Sequence, residues 1–291
     1  MALIRFNYRS QALGYYVNVT VTYPTDGLSY TDPTAGAGPQ HVMPGAKPRK
    51  PLLYKPGMKF QTIYLIHGGG DDDTLTYRYS NAERYAQEHR VMLVTPGIPN
   101  SFGIDTAFGV KYFTFLTEEL PVVVQTLFAS SPRREDNFVM GYAMGANVAL
   151  GMAVRRPDLY AGCVDLSGGI GMTLNTAKLQ EELADHHFPI YNTSFGAPED
   201  LPGSPNDLYP QAVANLASGK PQPRFWLVAG EKEGFIGERV RNDAKTMKEL
   251  GYDVEFLEIP GASHDFDLWD EYIRKGMDLL QLRGTPIYPE D

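Results

Sequence analysis

From residue 60 onward, short apolar runs that stop at glycines alternate with longer segments of helical spacing. The run 60–70, FQTIYLIHGGG, is rich in apolar and β-branched residues and ends in glycines, which is typical of a buried parallel strand. The segment 79–90 has helical spacing with Ser80 or Asn81 as its cap, and the alternation continues to a final helix near 266–282. Strands that alternate with helices require right-handed crossovers, so the pattern predicts an α/β fold with a mostly parallel sheet and helices on both faces.

Three segments depart from this alternation. Residues 14–24 alternate apolar and polar positions as an edge or near-edge strand does, and residues 25–59 are dense in Pro, Gly and Lys without any period. Residues 170–222 hold two helical pieces separated by Pro and Gly, after a predicted strand end, where insertions form ligand crevices in such folds. We therefore expect a single domain over 1–291, with a long surface insertion at about 25–59 and a cap region at about 170–222.

The composition narrows the classes of partner. Hydrophobic residues make up 43% of the chain and charged residues 21%, which is typical of a folded protein with a substantial core. The net charge is -9 and no long Lys or Arg run occurs, whereas a nucleic acid or an anionic membrane surface would need a basic patch. The composition therefore predicts no nucleic-acid partner and no membrane partner.

The cysteine content and the length of the apolar runs add to this picture. The single cysteine, Cys163, precludes an intrachain disulfide and a multi-thiolate metal site within one chain. No run approaches the roughly 20 apolar residues of a membrane span, and the N-terminal apolar stretch is too short for a signal peptide. We expect a cytoplasmic protein, although a processed mature chain with a replacement Met would have the same sequence. A homo-oligomer is one option for its assembly.

A strand-to-helix turn at Gly141–Gly145, GYAMG, has the pattern G-x-S-x-G with alanine at the third place. In this pattern the central residue has a strained backbone, and side chains at the flanking positions would collide with the adjacent strand and helix. A serine nucleophile normally occupies the central place. Ala143 therefore stands at a nucleophile position, and its methyl group cannot attack a substrate.

A glycine loop, YLIHGGGDD, ends an earlier buried strand. Loops of the HGGG type supply a backbone N–H to an oxyanion hole, together with the N–H of the residue after the nucleophile position. This predicts Gly69 and Met144 as the oxyanion donors. The other interpretation is a plain glycine turn followed by a polar run, Asp71–Asp73, that caps the next helix.

The turn Gly141–Gly145 is called the elbow below. A catalytic triad also requires a histidine and an acid after the elbow. His264 lies in a loop between the last predicted strand and the last helix, and we predict it as the base; the other interpretation is an exposed loop histidine. Glu231 and Glu233 follow an earlier strand end, and we predict Glu233 as the acid because it is the fourth residue of a Gly-x-x-acid loop. Both glutamates as ordinary surface charges, or Asp265 or Asp267 as the acid, are the alternatives.

These motifs together resemble a known family. The chain resembles the esterase D-type branch of the α/β-hydrolases, which includes S-formylglutathione hydrolases, tributyrin (acetyl) esterases and feruloyl esterases. The similar pieces include YLIHGGG, REDNFVMGYAMGANVALGMAVRRPDLYAGCVDLSGG and GASHDFDLWDEYI, and the resemblance covers most of residues 60–280. Two positions depart from the family: Ala143 stands where members carry serine, and Glu233 stands where they usually carry aspartate.

The resemblance implies an α/β-hydrolase fold and a carboxylic-ester hydrolase of the acetyl or feruloyl esterase type. The implied partners are small-molecule or oligosaccharide esters: short acyl esters, feruloyl-type aromatic esters, or acetylated or feruloylated sugars. A glutathione thioester fits less well, because no basic cluster is present for a charged tripeptide. An acyltransferase that uses the same acyl-enzyme is a further alternative.

Two explanations for Ala143 compete. Either a working esterase had its serine replaced so that substrate is trapped, or the chain is a natural non-catalytic pseudo-hydrolase that binds an ester or a sugar. The retained His264, glycine loop and elbow glycines favour the first explanation. Under both explanations we expect the chain to be inactive as it stands.

The candidate substrate-binding residues are Gly68, Gly70, Phe102, Tyr142, Phe235 and Trp269. The aromatic rings among them suit a phenolic ring or a sugar, although Phe and Tyr are more often core residues. Ser101 and Ser167 are candidates for the pocket wall and not for the nucleophile, since neither sits at a strand-to-helix turn of this kind. We expect no metal and no organic cofactor, because acyl transfer through a triad requires neither. The runs Asp71–Asp73 and His186–His187 are weak candidates for metal ligands, because adjacent identical residues seldom face one ion.

Overall fold

The part of the chain that the structure describes is built around one eight-stranded sheet. The structure is a computed structural model that describes residues 1–25, 52, 54–185 and 189–290. The strands are β1 (Ala2–Arg9), β2 (Tyr16–Tyr23), β3 (Thr62–Ile66), β4 (Met92–Pro96), β5 (Asn137–Tyr142), β6 (Gly162–Leu166), β7 (Arg224–Gly230) and β8 (Val254–Ile259). Their order across the sheet is β1-β2-β4-β3-β5-β6-β7-β8.

The sheet is mostly parallel, as predicted. β1 pairs with β2, and β2 with β4, in antiparallel orientation, and all other neighbouring pairs are parallel. β3, β4, β5 and β6 are buried along their whole length because the sheet is covered on both faces. The alternating segment 14–24 forms β2, the second strand from one edge.

Helices cover both faces of the sheet. They are α1 (Leu75–Tyr79), α2 (Ala82–His89), α3 (Tyr112–Thr114), α4 (Leu120–Leu127), α5 (Met144–Arg155), α6 (Thr176–Asp185), α7 (Pro189–Phe195), α8 (Leu208–Ala217), α9 (Phe235–Leu250) and α10 (Phe266–Leu279). A π-helical segment, Phe115–Glu119, joins α3 to α4. Alternate residues of β5 face opposite layers: Met140 and Tyr142 pack in the core with α2 and α10, and Val139 packs in the core with α5 and α9.

The start of α2 distinguishes the two predicted caps. The Ser80 hydroxyl accepts a hydrogen bond from the Ala82 N–H at 3.2 Å. The side chain of Asn81 caps nothing, although its backbone N–H donates to Asp270 on α10 at 2.7 Å. Ser80 therefore satisfies a free amide of the first turn, and Asn81 ties α2 to its neighbouring helix.

Two of the three segments that depart from the strand–helix alternation are the predicted insertion and the predicted cap region. Most of the predicted insertion, residues 26–51 and 53, lies outside the described residues, and so does the pair His186–His187. The predicted cap region contains α6 and α8, where two helical pieces were expected, and also α7, which was not expected. None of the helices among the described residues has the length and apolar character needed to cross a membrane.

Candidate active site

The turn between β5 and α5 has a strained backbone at Ala143, with φ 50° and ψ -124°. A Cβ built on Gly141 would lie 2.1 Å from the carbonyl oxygen of Gly145, and one built on Gly145 would lie 2.2 Å from that of Ile66. Both flanking positions therefore require glycine, because the turn is too tight for a side chain. The fold therefore holds residue 143, the predicted nucleophile position, in a strained turn between two obligatory glycines.

Ala143 lines a cavity of about 350 Å³ together with Gly69, Met144 and His264. Met144 is the first residue of α5, a 12-residue helix. The amides of a first helical turn have no acceptor within the helix, and the helix dipole adds positive potential there. The structure thus places the two predicted oxyanion donors, the nucleophile position and the predicted base around one space.

A buried histidine fixes the glycine loop. The His67 Nδ1 lies 2.8 Å from the carbonyl oxygen of Gly68, and its Nε2 accepts a hydrogen bond from the Ile98 N–H at 3.1 Å. Because Nε2 accepts, Nδ1 must donate; burial lowers the pKa of His67 and favours this neutral ring. The carbonyl and amide of a trans peptide point in opposite directions, so the Gly69 N–H is directed away from His67.

The predicted base and acid lie next to each other. The His264 Nδ1 is 3.3 Å from Oε1 of Glu233, whose side chain is fully buried, whereas the imidazole is 29% exposed. The two groups are in contact, but the His264 Nδ1 makes no hydrogen bond. Hydrogen bonds between catalytic groups are often long or poorly aligned in the absence of substrate. Trp269 packs edge-on against the imidazole at a centroid distance of 4.9 Å.

Backbone contacts join the loop that carries the acid to the loop that carries the base. The Lys232 N–H donates to the carbonyl oxygen of Ala262 at 2.9 Å. A Cβ built on Gly230 would lie 2.5 Å from that same oxygen, so only glycine permits the approach. These contacts thus hold the loops of Glu233 and His264 against each other at the ends of β7 and β8.

The alternative carboxylates have other roles. Glu231 accepts a hydrogen bond from the Gly261 N–H at 2.7 Å and braces the turn after β8. Asp265 caps α10, accepting from the backbone N–H groups of Asp267 and Leu268 at 3.1 and 3.4 Å. Glu233 is therefore the carboxylate that the geometry assigns to His264.

Sequence reasoning missed the role of Ser167. It was a candidate for the pocket wall, but it has no exposed surface and does not line the cavity. Its hydroxyl donates to Oε1 of Glu233 at 2.5 Å and accepts from the Trp269 Nε1–H at 3.1 Å. Its φ of 67° lies in the left-handed region, directly after β6. The sequence signal for this contact was the segment DLSGG, which places a serine at the end of one strand, next in the sheet to the strand that precedes Glu233.

Several other candidates do line cavities. Gly68, Phe102 and Trp269 line the 350 Å³ cavity. Gly70 and Ser101 line a neighbouring cavity of about 910 Å³. These five positions stay candidates for contact with a substrate.

Tyr142 and Phe235 are not brought to either cavity. Tyr142 has no exposed surface, and its ring stacks on Trp269 at 5.1 Å in the core. As the last residue of β5 it shares a face with Met140, which explains why it points into the core although it precedes Ala143. Phe235, at the start of α9, is 63% exposed and lines neither cavity. The geometry therefore does not support substrate contact through these two rings.

The three aspartates after the glycine loop serve separate purposes. Asp73 is buried and accepts two hydrogen bonds from Arg5 of β1 at 2.7 and 2.8 Å. Asp72 accepts from the Thr74 N–H at 2.8 Å. Asp71 lines both cavities. Within the described ranges, no three His, Cys, Asp or Glu side chains gather as metal ligands would.

A further carboxyl lies beneath the site. Asp165 of β6 is fully enclosed, and burial raises its pKa to about 7. The Gly168 N–H donates to it at 2.8 Å, which opposes that shift, and the charges of Glu233 and Asp243 add to it. Glu233, the predicted acid, therefore has a buried neighbour whose charge depends on pH.

Comparison with known proteins identifies the family. The sequence profile of the Esterase family matches residues 47–275. The chain belongs to this family. The acetyl esterase of Caldicellulosiruptor saccharolyticus is 25% identical over 239 residues, which cover 78% of this chain and 88% of that protein.

Solved structures show the same fold. The serine hydrolase FphF of Staphylococcus aureus superimposes with a TM-score of 0.76 at 23% identity, over 96% of this chain and 98% of that chain. A serine-to-alanine mutant of the feruloyl esterase module from Clostridium thermocellum, complexed with sinapinate, gives 0.60 at 17% identity, over 95% and 86%. The predicted α/β-hydrolase fold and the resemblance to esterases are confirmed.

Proposed function

We propose that this chain carries the active site of a serine carboxylesterase with alanine at the nucleophile position, and that it binds esters without hydrolysing them. The observation that carries the proposal is the strained backbone of Ala143 beside His264 in one cavity. Such strain costs on the order of 1–3 kcal/mol and persists where the surrounding structure imposes it. An elbow of this shape serves to present a nucleophile.

With serine at position 143 the site supports acyl transfer. The serine oxygen bonds to the acyl carbon while His264 takes its proton, and the Gly69 and Met144 amides stabilise the oxyanion. The bond to the alcohol then breaks, His264 returns the proton to the leaving oxygen, and an acyl-enzyme remains. Water, activated by the same imidazole, releases the acid. Glu233 orients the ring throughout.

The inner cavity suits a small acyl group. Its volume of about 350 Å³ is near the lower end for ligand pockets, and Phe102, Ile170, Phe266 and Trp269 give it apolar walls. Acetyl or feruloyl-type acyl groups would place their carbon atoms against these walls. The alcohol side, a small molecule or an esterified oligosaccharide, would then lie toward the larger cavity.

The test is the variant Ala143→Ser. We expect it to hydrolyse p-nitrophenyl acetate or methyl ferulate at least about 1000-fold faster than the present chain. It should also gain covalent labelling by a fluorophosphonate, seen by intact-mass spectrometry. His264→Ala in the same variant is the control and should abolish both gains. A folded Ala143→Ser protein with neither hydrolysis nor labelling would overturn the proposal.

Ala143 itself favours a second candidate, a natural non-catalytic protein that binds an ester or a sugar. This candidate predicts that Ala143→Ser leaves turnover unchanged, while the present chain binds feruloylated or acetylated oligosaccharides in calorimetry. The two candidates therefore differ in the result of one substitution.

A further inference from the structure

The larger cavity adjoins the site of attack. Its volume is about 910 Å³, and it shares Asp71, Asn100 and Ile190 with the inner cavity. Part of its lining comes from the hairpin between Asp105 and Lys111, which form an isolated antiparallel bridge and have Phe108 between them. Another part comes from α7, which contributes Asn192. The Ala107 N–H donates to the backbone of α7 at 2.9 Å, so the two parts are tied together.

The lining combines apolar surface with neutral polar groups. Phe108 is 61% exposed and Ile190 38% exposed, so both offer apolar surface to an incoming group. Asn100, Asn192 and Ser101 add amide and hydroxyl groups. Neither cavity is lined by a Lys or Arg from the described part of the chain. An anionic group would therefore find no countercharge at these walls.

Asp71 places a negative charge where the two cavities meet. Its Oδ2 lies 3.1 Å from the position that a Cβ on Gly68 would occupy, so the carboxylate leans over the glycine loop. Burial raises the pKa of Asp71, and the nearby His67 and contacts with Tyr142 and the Gly68 backbone oppose that shift. The neighbouring His67 is held neutral by its two hydrogen bonds, so it does not cancel the charge.

We propose that the outer cavity is the leaving-group site and that Asp71 selects its chemistry. The Asp71 carboxylate favours a leaving group with a hydrogen-bond donor, hydroxyl or ammonium, near the ester. It disfavours a leaving group with a negative charge. This inference rests on the proposed function, since Ala143 marks the point of attack. Selection arises because Asp71 attracts donors and repels anions across a few ångströms of partly desolvated space.

The kinetic test uses three thioesters with one acetyl group and different leaving groups: S-[2-(dimethylamino)ethyl] thioacetate, whose protonated amine carries an N–H donor, S-acetylthioglycerol and S-acetyl-3-mercaptopropanesulfonate. The Ala143→Ser enzyme is assayed with dithionitrobenzoate, which reports the released thiol. We expect kcat/KM to be lowest for the sulfonate. Adding Asp71→Asn should lower the ratio of kcat/KM between the cationic and anionic substrates about five- to tenfold, the size of one charge interaction at this range.

Asp72→Asn is the matched control, because it removes the same charge from the adjacent residue, which lines neither cavity. An equal change of the ratio in both variants would overturn the proposal, since bulk charge would then explain it. Binding of the same thioesters to the present Ala143 chain, followed by ligand-observed NMR, needs no turnover. The affinities should follow the same order as kcat/KM, and Asp71→Asn should again reduce the preference for the cationic over the anionic thioester. If Asp71→Asn left that preference unchanged, the proposal would be contradicted even if Ala143→Ser proved inactive.

Discussion

The hydroxyl of Ser167 donates a hydrogen bond to the buried carboxylate of Glu233 at 2.5 Å, on the same oxygen that faces His264. We predict that Ser167→Ala in the Ala143→Ser enzyme lowers kcat about tenfold, because the buried carboxylate loses the donor that fixes its position against His264. KM should stay nearly unchanged, because Ser167 lines neither cavity. Steady-state ester hydrolysis measures both constants.

Ser131→Ala provides the control for this prediction. Ser131 donates to the buried Asp136 at 2.7 Å, so this substitution also removes a hydrogen bond from a buried carboxylate, but not from the one that faces His264. We expect Ser131→Ala to lower Tm and to leave kcat unchanged. An equal fall of kcat in both variants would assign Ser167 a purely structural role.

The strain at Ala143 predicts an effect on stability. Ala143→Gly should raise the free energy of unfolding by about 1 kcal/mol or more, because glycine adopts the φ of 50° without a Cβ penalty. Ala149→Gly, in the interior of α5, should lower it by at least about 1 kcal/mol through lost helix propensity and burial. Urea unfolding compares the two variants, and a loss of stability in Ala143→Gly would contradict the strain.

The tight elbow predicts a contrast between two glycines of α5. Gly145→Ala should lower the free energy of unfolding by more than about 3 kcal/mol, because the new Cβ meets the backbone oxygens of Ile66 and His67 at 2.2 and 2.4 Å. Gly151→Ala would meet only the flexible end of Met172 at 2.9 Å. It should be near neutral or stabilising. Similar losses in both variants, measured by thermal unfolding, would contradict the packing at the elbow.

The buried Asp165 predicts a dependence of stability on pH. Its pKa of about 7 in the folded protein exceeds the usual value of 3.8, so the group contributes stability that is present at pH 4 and lost as the pH rises through 7. Asp165→Asn keeps an acceptor for the Gly168 N–H. We expect the variant to be about 1–3 kcal/mol more stable than the parent at pH 8 and equal to it near pH 4. Urea unfolding with the same difference at both pH values would contradict this.

Much of the fold was predictable because buried parallel strands have a recognisable sequence pattern, a short apolar run rich in β-branched residues. β3 is an apolar run that is followed by a glycine loop, and β5 is an apolar run that leads into a tight turn. The collisions that a Cβ would meet at Gly141 and Gly145 explain the glycines of that turn. α7 was missed because its seven residues, PIYNTSF, are too few to establish a helical period. Its position depends on contacts with the hairpin, which no local pattern records.

The candidate site was only partly predictable. Chain order placed Glu233 after β7 and His264 after β8, and adjacent parallel strands bring such loops together. Adjacency to Ala143 was a poor guide for Tyr142, because side chains alternate along β5 and this one faces the core. The sequence did not predict Ser167 as a partner of Glu233. A single buried hydroxyl leaves no periodic pattern in the sequence, and the two residues are 66 positions apart.

The contacts among Gly230, Lys232 and Ala262 divide the site into two halves. The loops of Glu233 and His264 are joined to each other at the ends of β7 and β8, whereas the turn at Ala143 packs on β3 through Gly145. β6 lies between the two halves in the sheet, and Ser167, directly after β6, donates a hydrogen bond to Glu233. Transfer of the Glu233–His264 pair to another parallel sheet would therefore require both loops and this serine together.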